Sequence, residues 1–299
     1  MIKHFINLND LSNYDLTRII KQAITLKKQY KSGKINKCLE HKTLAMIFDK
    51  SSTRTRVSFE AGMTQLGGRA LFLSDKDIQL GRGEPIIDSA IVISSMVDAI
   101  MIRVSSHEDI QTFSEHSSVP IINALSDESH PCQLLADMMT YQEYNGSIAN
   151  KTVAWIGDGN NMCHTYIQAA KSFNFKLNIA APKNYQPDQS FIEKYASHIH
   201  LFTDIKTACK EVDLIVTDVW ASMGQENEQI KREIAFKDFQ VNTVLMSKAK
   251  PSAVFMHCLP AHRGKEVSAN VIDSNQSLVW SEAENRLHVQ KALLLYLLN

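Results

Sequence analysis

Short apolar runs that alternate with helical patterns constrain this chain more than any other feature. Runs at 44–48, 70–73, 99–103 and 119–123 are separated by helical periodicity over 53–66, from Pro85 onward and over 107–116, and helix 131–144 follows the last of them. Each run is too short to cross a fold alone, and only a parallel sheet flanked by helices buries it on both faces. An amphipathic helix over 10–28 (Leu16, Ile19, Ile20, Ala23, Leu26) precedes the first run, joined by a Lys-rich surface connection broken at Gly33. Gly146-Ser147 marks a boundary, after which the alternation restarts with strands 152–156, 177–180, 200–202, 213–217 and 253–257. Helical patterns run from the Asn pair to about Phe173, within 188–197, near 204–210 and in pieces over 228–248. The expected fold is therefore α/β: two doubly wound parallel-sheet domains, 1–146 and 147–280, with a reactive cleft between them at the carboxyl ends of the strands. A last helix, about 281–298, carries a narrow apolar stripe (Leu287, Ala292, Leu295, Leu298), so segment 281–299 is expected to return and pack on the first domain.

Global charge gives no hint of a nucleic-acid or anionic-membrane partner, because 32 Lys and Arg balance 32 Asp and Glu. Anion recognition must therefore be local. Five scattered cysteines without a C-x-x-C pair fit reduced thiols in the cytoplasm better than disulfides or zinc. Neither a signal-like opening nor an apolar run of about 18 residues is present, so no membrane segment is expected.

The densest chemistry lies where strand 44–48 meets helix 53–66, in Asp49-Lys50-Ser51-Ser52-Thr53-Arg54-Thr55-Arg56. Ser52 suits an N-cap, which puts Thr53, Arg54 and Thr55 in a first turn whose backbone N–H groups lack intrahelical partners. Those donors, the hydroxyls and two guanidinium forks describe a seat for a phosphate dianion. A capped helix with two solvated arginines is the plainer alternative, and the density of donors speaks against it.

Further clusters fall at strand ends. Arg103 closes its apolar strand, a place that suits either a ligand or an ion pair. His130-Pro131-Cys132-Gln133 opens a helix with Pro in its first turn, and its His and Gln supply a donor and an acceptor for an amide-like ligand; Cys132 reads as structural. Gly157-Asp158-Gly159-Asn160-Asn161 resembles the start of a dinucleotide fingerprint, but no third glycine follows and no acid closes the next strand near Ile179. The two asparagines better suit a small polar ligand. Asp218, in Asp-Val-Trp-Ala-Ser-Met-Gly, can hold an ammonium group, and Cys258, in His-Cys-Leu-Pro, is either a nucleophile or an inert thiol. A phosphate cradle, donors for a carbonyl and an acidic pocket for an amine together describe a two-substrate group transfer.

In this order, Ser52-Thr53-Arg54-Thr55-Arg56, Arg103, His130-Pro131-Cys132-Gln133, Asp218 to Gly224, His257-Cys258-Leu259-Pro260 and Glu284-Asn285-Arg286 resemble the aspartate/ornithine carbamoyltransferase superfamily, and its ornithine branch in particular. The resemblance covers essentially the whole chain. It implies carbamoyl phosphate bound by Ser52, Thr53, Arg54, Thr55, Gln79, Arg103, His130, Pro131, Cys132, Gln133, Cys258, Leu259 and Arg286, with Arg103, His130, Cys258 and Thr55 catalytic. It implies ornithine held by Asn161, Asp218, Ser222 and Met223, with no metal and no organic cofactor. A homotrimer is implied as well, with the 79–84 loop, and Gln79 in it, reaching a neighbour's site, and a cytoplasmic role in arginine biosynthesis. Putrescine, aspartate or an acylated ornithine are rival acceptors that a free α-amino pocket at Asp218 disfavours. A phosphometabolite-binding protein without turnover is the rival from another class.

Overall fold

The computed structural model describes residues 2–74, 83–221 and 226–299. In chain order the elements are α1 (Asn13–Lys31), β1 (Thr43–Phe48), α2 (Thr53–Gln65), β2 (Arg69–Ser74), α3 (Ile86–Ser94), β3 (Ala99–Arg103), α4 (His107–His116), β4 (Ile121–Leu125) and α5 (Pro131–Asn145). They continue as β5 (Thr152–Ile156), α6 (Asn161–Ser172), β6 (Lys176–Ala180), α7 (Gln189–Lys194), β7 (Ile199–Phe202), α8 (Ile205–Ala208), β8 (Leu214–Thr217), α9 (Gln229–Phe236), α10 (Thr243–Met246), β9 (Val254–His257), α11 (Ala269–Ile272) and α12 (Val279–Leu298). Two compact units emerge, one of residues 1–139 with 284–299 and one of 140–283. Both divisions fall inside helices, α5 and α12.

The first unit carries a parallel sheet in the order β2-β1-β3-β4. Strand β3 is buried along its whole length, and β1 and β4 at all but one position, which explains the apolar runs Leu44 to Phe48 and Ala99 to Ile102. The chain leaves β1 toward β2 on one side and returns to β3 on the other. That reversal opens a crevice at the carboxyl ends of β1 and β3, where Asp49 to Arg54 and Arg103 sit. Phe5 extends the sheet beyond β4: its N–H donates to the Ile121 carbonyl at 2.8 Å, and the Asn123 N–H donates to the Phe5 carbonyl at 2.8 Å.

The closing helix α12 returns to the first unit, but its burial is no narrow stripe. Asn285, Arg286, His288, Gln290 and Lys291 are buried along with Val289 and Ala292 to Leu295. Polar groups of α1 and α2 make that possible, since Lys27 Nζ donates to Asn285 Oδ1 and Lys291 Nζ donates to Gln65 Oε1, each at 2.8 Å. Gly62 of α2 leaves room for this approach, as a Cβ there would lie 3.3 Å from the Lys291 side chain.

The second unit carries a parallel sheet in the order β7-β6-β5-β8-β9. Its reversal lies between β5 and β8, so Gly157 to Asn161 and Asp218 flank the crevice. Gly159 serves packing here rather than pyrophosphate binding. A Cβ on it would collide with the backbone of Gln186 and Pro187, and its N–H donates to the Tyr185 carbonyl at 2.8 Å.

Candidate active site

In the first unit, Ser52 occupies the N-cap position of α2 with extended backbone, yet its hydroxyl makes no capping bond. The donors of the first turn are thus left for a ligand rather than closed by the chain. Thr53 is exposed, and Arg54 and Ser52 are half-buried, as an anion seat requires. The second guanidinium of the motif does not join them. Arg56 Nε donates to Glu60 Oε1 at 3.3 Å, and its guanidinium lies 3.8 Å from the Phe72 ring centroid, so of the motif's two guanidiniums only that of Arg54 is left at the head of α2.

Arg286 of α12 supplies the fork that Arg56 does not. Its guanidinium donates to Gln133 Oε1 and, at 3.1 Å, to Thr55 Oγ1. Thr55 therefore accepts from Arg286 and keeps its own hydroxyl proton to donate. Gln133 differs from expectation: its carbonyl holds Arg286 and its amide donates to Asp137 Oδ1 at 2.8 Å, so it orients the guanidinium as much as it offers itself to a ligand.

Arg103 ends β3 buried, at a register shift between β3 and β4. His130 is buried at the head of α5, and its proton affinity is pushed well below that of an ordinary histidine, first by burial and then by the guanidiniums of Arg286, Arg103 and Arg54. It is consequently a neutral imidazole at physiological pH, beside three positive charges. Cys132 donates to the Asn123 carbonyl at 3.3 Å, and burial pushes its thiol up to about 12, which makes it an inert brace for the helix start.

In the second unit, Asp218 follows β8 immediately and is buried. Its Oδ1 accepts from the Val219 N–H at 2.8 Å and from Cys258 Sγ at 3.1 Å, and its Oδ2 accepts from Asn160 Nδ2 at 2.9 Å. Asn160 Oδ1 meanwhile caps α6 through the N–H groups of Met162 and Cys163. Asn161, the first residue of α6, stands half-exposed beside this pair. Cys258 is thereby an aid to Asp218 rather than a nucleophile with a base.

His257 is fully buried, and its tautomer is fixed by its neighbours. Its Nδ1 accepts from the Leu259 N–H at 2.9 Å, so Nε2 carries the proton and faces Glu266 Oε1 at 3.2 Å. This holds Leu259 at φ +56°, a left-handed conformation unusual for leucine. Donor atoms of Asp218, His257 and Cys258 lie within 4.8 Å of one another, the one such grouping among the described residues. Both imidazole nitrogens already have partners, so the trio is organised around hydrogen bonds rather than around a cation.

Gln79, Ser222 and Met223 lie outside the described residues. Among the described residues, sequence reasoning gave Asn160, like Asn161, to a small polar ligand and missed its tie to Asp218, 58 positions away. It also passed over the buried pair Asp158 and Arg232, 2.7 Å apart, in which Arg232 donates to the Trp220 carbonyl as well. Burial draws the Asp158 carboxyl up to about 6 despite that guanidinium. No helix among the described residues is long and apolar enough to cross a membrane.

Known proteins resemble this chain along its full length. The model of the aspartate/ornithine carbamoyltransferase carbamoyl-P binding domain matches residues 3–143, and that of the Asp/Orn binding domain matches residues 149–297. The chain is 87% identical over 299 residues to an ornithine carbamoyltransferase of Ruthia magnifica subsp. Calyptogena magnifica, covering 100% of each. It superimposes on the crystal structure of ornithine carbamoyltransferase from Burkholderia thailandensis E264 with a TM-score of 0.93, at 51% identity and 99% coverage of both chains. The ornithine carbamoyltransferase of Pyrococcus furiosus gives a TM-score of 0.94 at 48% identity, covering 98% of this chain and 96% of that one.

Proposed function

The chain belongs to the aspartate/ornithine carbamoyltransferase family, and we infer that it transfers the carbamoyl group of carbamoyl phosphate to the side-chain amine of L-ornithine, releasing L-citrulline and phosphate. One observation carries the assignment of roles: a neutral His130 sits among Arg54, Arg103 and Arg286 beside the uncapped head of α2. That is an environment for a dianion whose carbonyl also needs uncharged donors.

The phosphate sits on Ser52, Thr53, Arg54 and the first-turn N–H groups of α2, with Arg103 and Arg286 balancing its charge. The carbamoyl oxygen faces Arg103, the His130 N–H and the Thr55 hydroxyl, while Pro131, Cys132 and Gln133 hold the head of α5 and Cys258 and Leu259 border the carbamoyl group. Ornithine's α-ammonium pairs with Asp218, supported by Asn161, Ser222 and Met223. Its side-chain amine, with an ordinary pKa near 10.4 like that of lysine, must shed a proton before attack. The neutral nitrogen then bonds to the carbamoyl carbon and the carbonyl electrons move to oxygen, where each donor contributes roughly 2.7–4 kcal/mol. Collapse breaks the bond to the phosphate oxygen, and the departing phosphate takes one of the two protons on the positively charged nitrogen, leaving the N–H of the urea.

Cleavage of a mixed anhydride to form a urea runs downhill, which supports a biosynthetic direction toward arginine. Five cysteines present as thiols support a reducing, cytoplasmic setting. Exposed Leu71 on β2 and Ile87, Ile91 and Val92 on α3, the elements on either side of residues 75–82, support a homotrimer that lends Gln79 to a neighbour. The test is citrulline formation from carbamoyl phosphate with ornithine, putrescine and aspartate offered in parallel. Turnover confined to ornithine is expected, and product from putrescine or aspartate alone refutes the reading.

A further inference from the structure

Behind His130, a ring of hydrogen bonds closes on itself, and nothing in the transfer chemistry calls on it. Asn7 Nδ2 lies 3.3 Å from His107 Nε2. An amide nitrogen only donates, so Nε2 accepts and the imidazole proton sits on Nδ1. From there His107 Nδ1–H donates to Ser126 Oγ at 2.8 Å, and Ser126 Oγ donates to the Ser129 carbonyl at 3.4 Å. Ser129 Oγ completes the circuit by donating to Asn7 Oδ1 at 3.1 Å. His107, Ser126 and Ser129 are buried, so the two bonds among them are shielded from water, where such bonds are strongest and costliest to lose, while the two to Asn7 are partly buried.

Ser129 directly precedes His130, whose carbonyl accepts the first N–H groups of α5 from Gln133 and Leu134. A shift of the 126–129 turn therefore moves the imidazole. The ring is not needed to hold the N-terminal segment, since Phe5 already pairs with β4 through two backbone bonds of 2.8 Å. Its surplus constraint falls on the turn.

We infer that His107 and Asn7 are positioning residues for carbamoyl transfer, setting the place of His130 through the Ser126–Ser129 turn. This rests on the role given to His130 above. A misplacement of about 1 Å at a reacting group costs about 100-fold in rate, so a small shift of the turn is enough to register.

Two variants of the full chain separate positioning from mere stability. In His107→Asn the amide falls where Nδ1 was and keeps the bond to Ser126. In His107→Gln it falls where Nε2 was and keeps only the bond to Asn7. Expected results are a kcat reduced by about 10- to 100-fold in His107→Gln and restored near wild type in His107→Asn. The KM for ornithine and the affinity for inorganic phosphate, measured by titration calorimetry, stay unchanged in both. Equal behaviour of the two variants, or a kcat that falls in step with ornithine KM and melting temperature, overturns the inference. Should His107→Gln not fold, Asn7→Ala at its half-buried position decides: a reduced kcat supports positioning, and a wild-type kcat refutes it. Wild-type protein that makes no citrulline would instead sink the functional reading itself.

Discussion

Asn160 Nδ2 lies 2.9 Å from Asp218 Oδ2 while the same side chain's Oδ1 caps α6, so one amide ties the start of a helix to the acid at the end of β8. Removing it does two separable things. Asn160→Ala loses the cap, at about 0.5–2 kcal/mol of stability, and releases one oxygen of Asp218. Ornithine KM is expected to rise while carbamoyl phosphate KM holds, as steady-state kinetics with each substrate varied will show. Equal weakening of both substrates would contradict the assignment of Asp218 to the amino acid.

Arg54 is half-buried at the head of α2, with no part in the core. Arg54→Gly should therefore leave far-ultraviolet circular dichroism and melting unchanged. Loss of a charged donor to the phosphate should cut kcat/KM for carbamoyl phosphate by about 100-fold or more. Activity close to wild type would move the phosphate away from this helix.

Arg232 and Asp158 form a buried pair, so deleting one partner leaves the other charge stranded. Arg232→Ala should cost about 3–5 kcal/mol at pH 8, read from urea denaturation. The cost should shrink in acid. Asp158 already titrates near 6 when folded against 3.8 as its ordinary value, and without Arg232 it accepts a proton more readily still, which removes the stranded charge. A destabilisation independent of pH would show that Asp158 is not the group left exposed to the loss.

Much of the fold was legible because β1, β3 and β5 advertise themselves as unbroken apolar runs. Sheet order was not, since the reversal that brings Asp49 beside Arg103 is a long-range pairing with no local mark. The same limit applies at the site. Spacing brought out Arg54 and His130, but it could not tell that Arg56 stacks on Phe72 of the neighbouring strand while Arg286 arrives from the far end of the chain. In α12 the sequence shows only a narrow apolar stripe, because the bonds to Lys27 and Gln65 that bury its Asn285 and Lys291 come from distant elements.

His288, buried in α12, has its pKa drawn down to about 4, first by burial and then by Lys291. In the unfolded chain it titrates near its ordinary 6.5. Between those values the unfolded chain binds a proton that the folded chain refuses, so the stability present above pH 6.5 is lost progressively as pH falls toward 4. His288→Gln cannot take up that proton in either state, and its urea midpoint should fall less steeply than that of the wild type across this window. At pH 7 and above, where His288 is neutral whether folded or not, the two curves should run parallel. Parallel curves throughout would mean that His288 is protonated in the folded protein, with Glu284, 3.9 Å away, as its counterion.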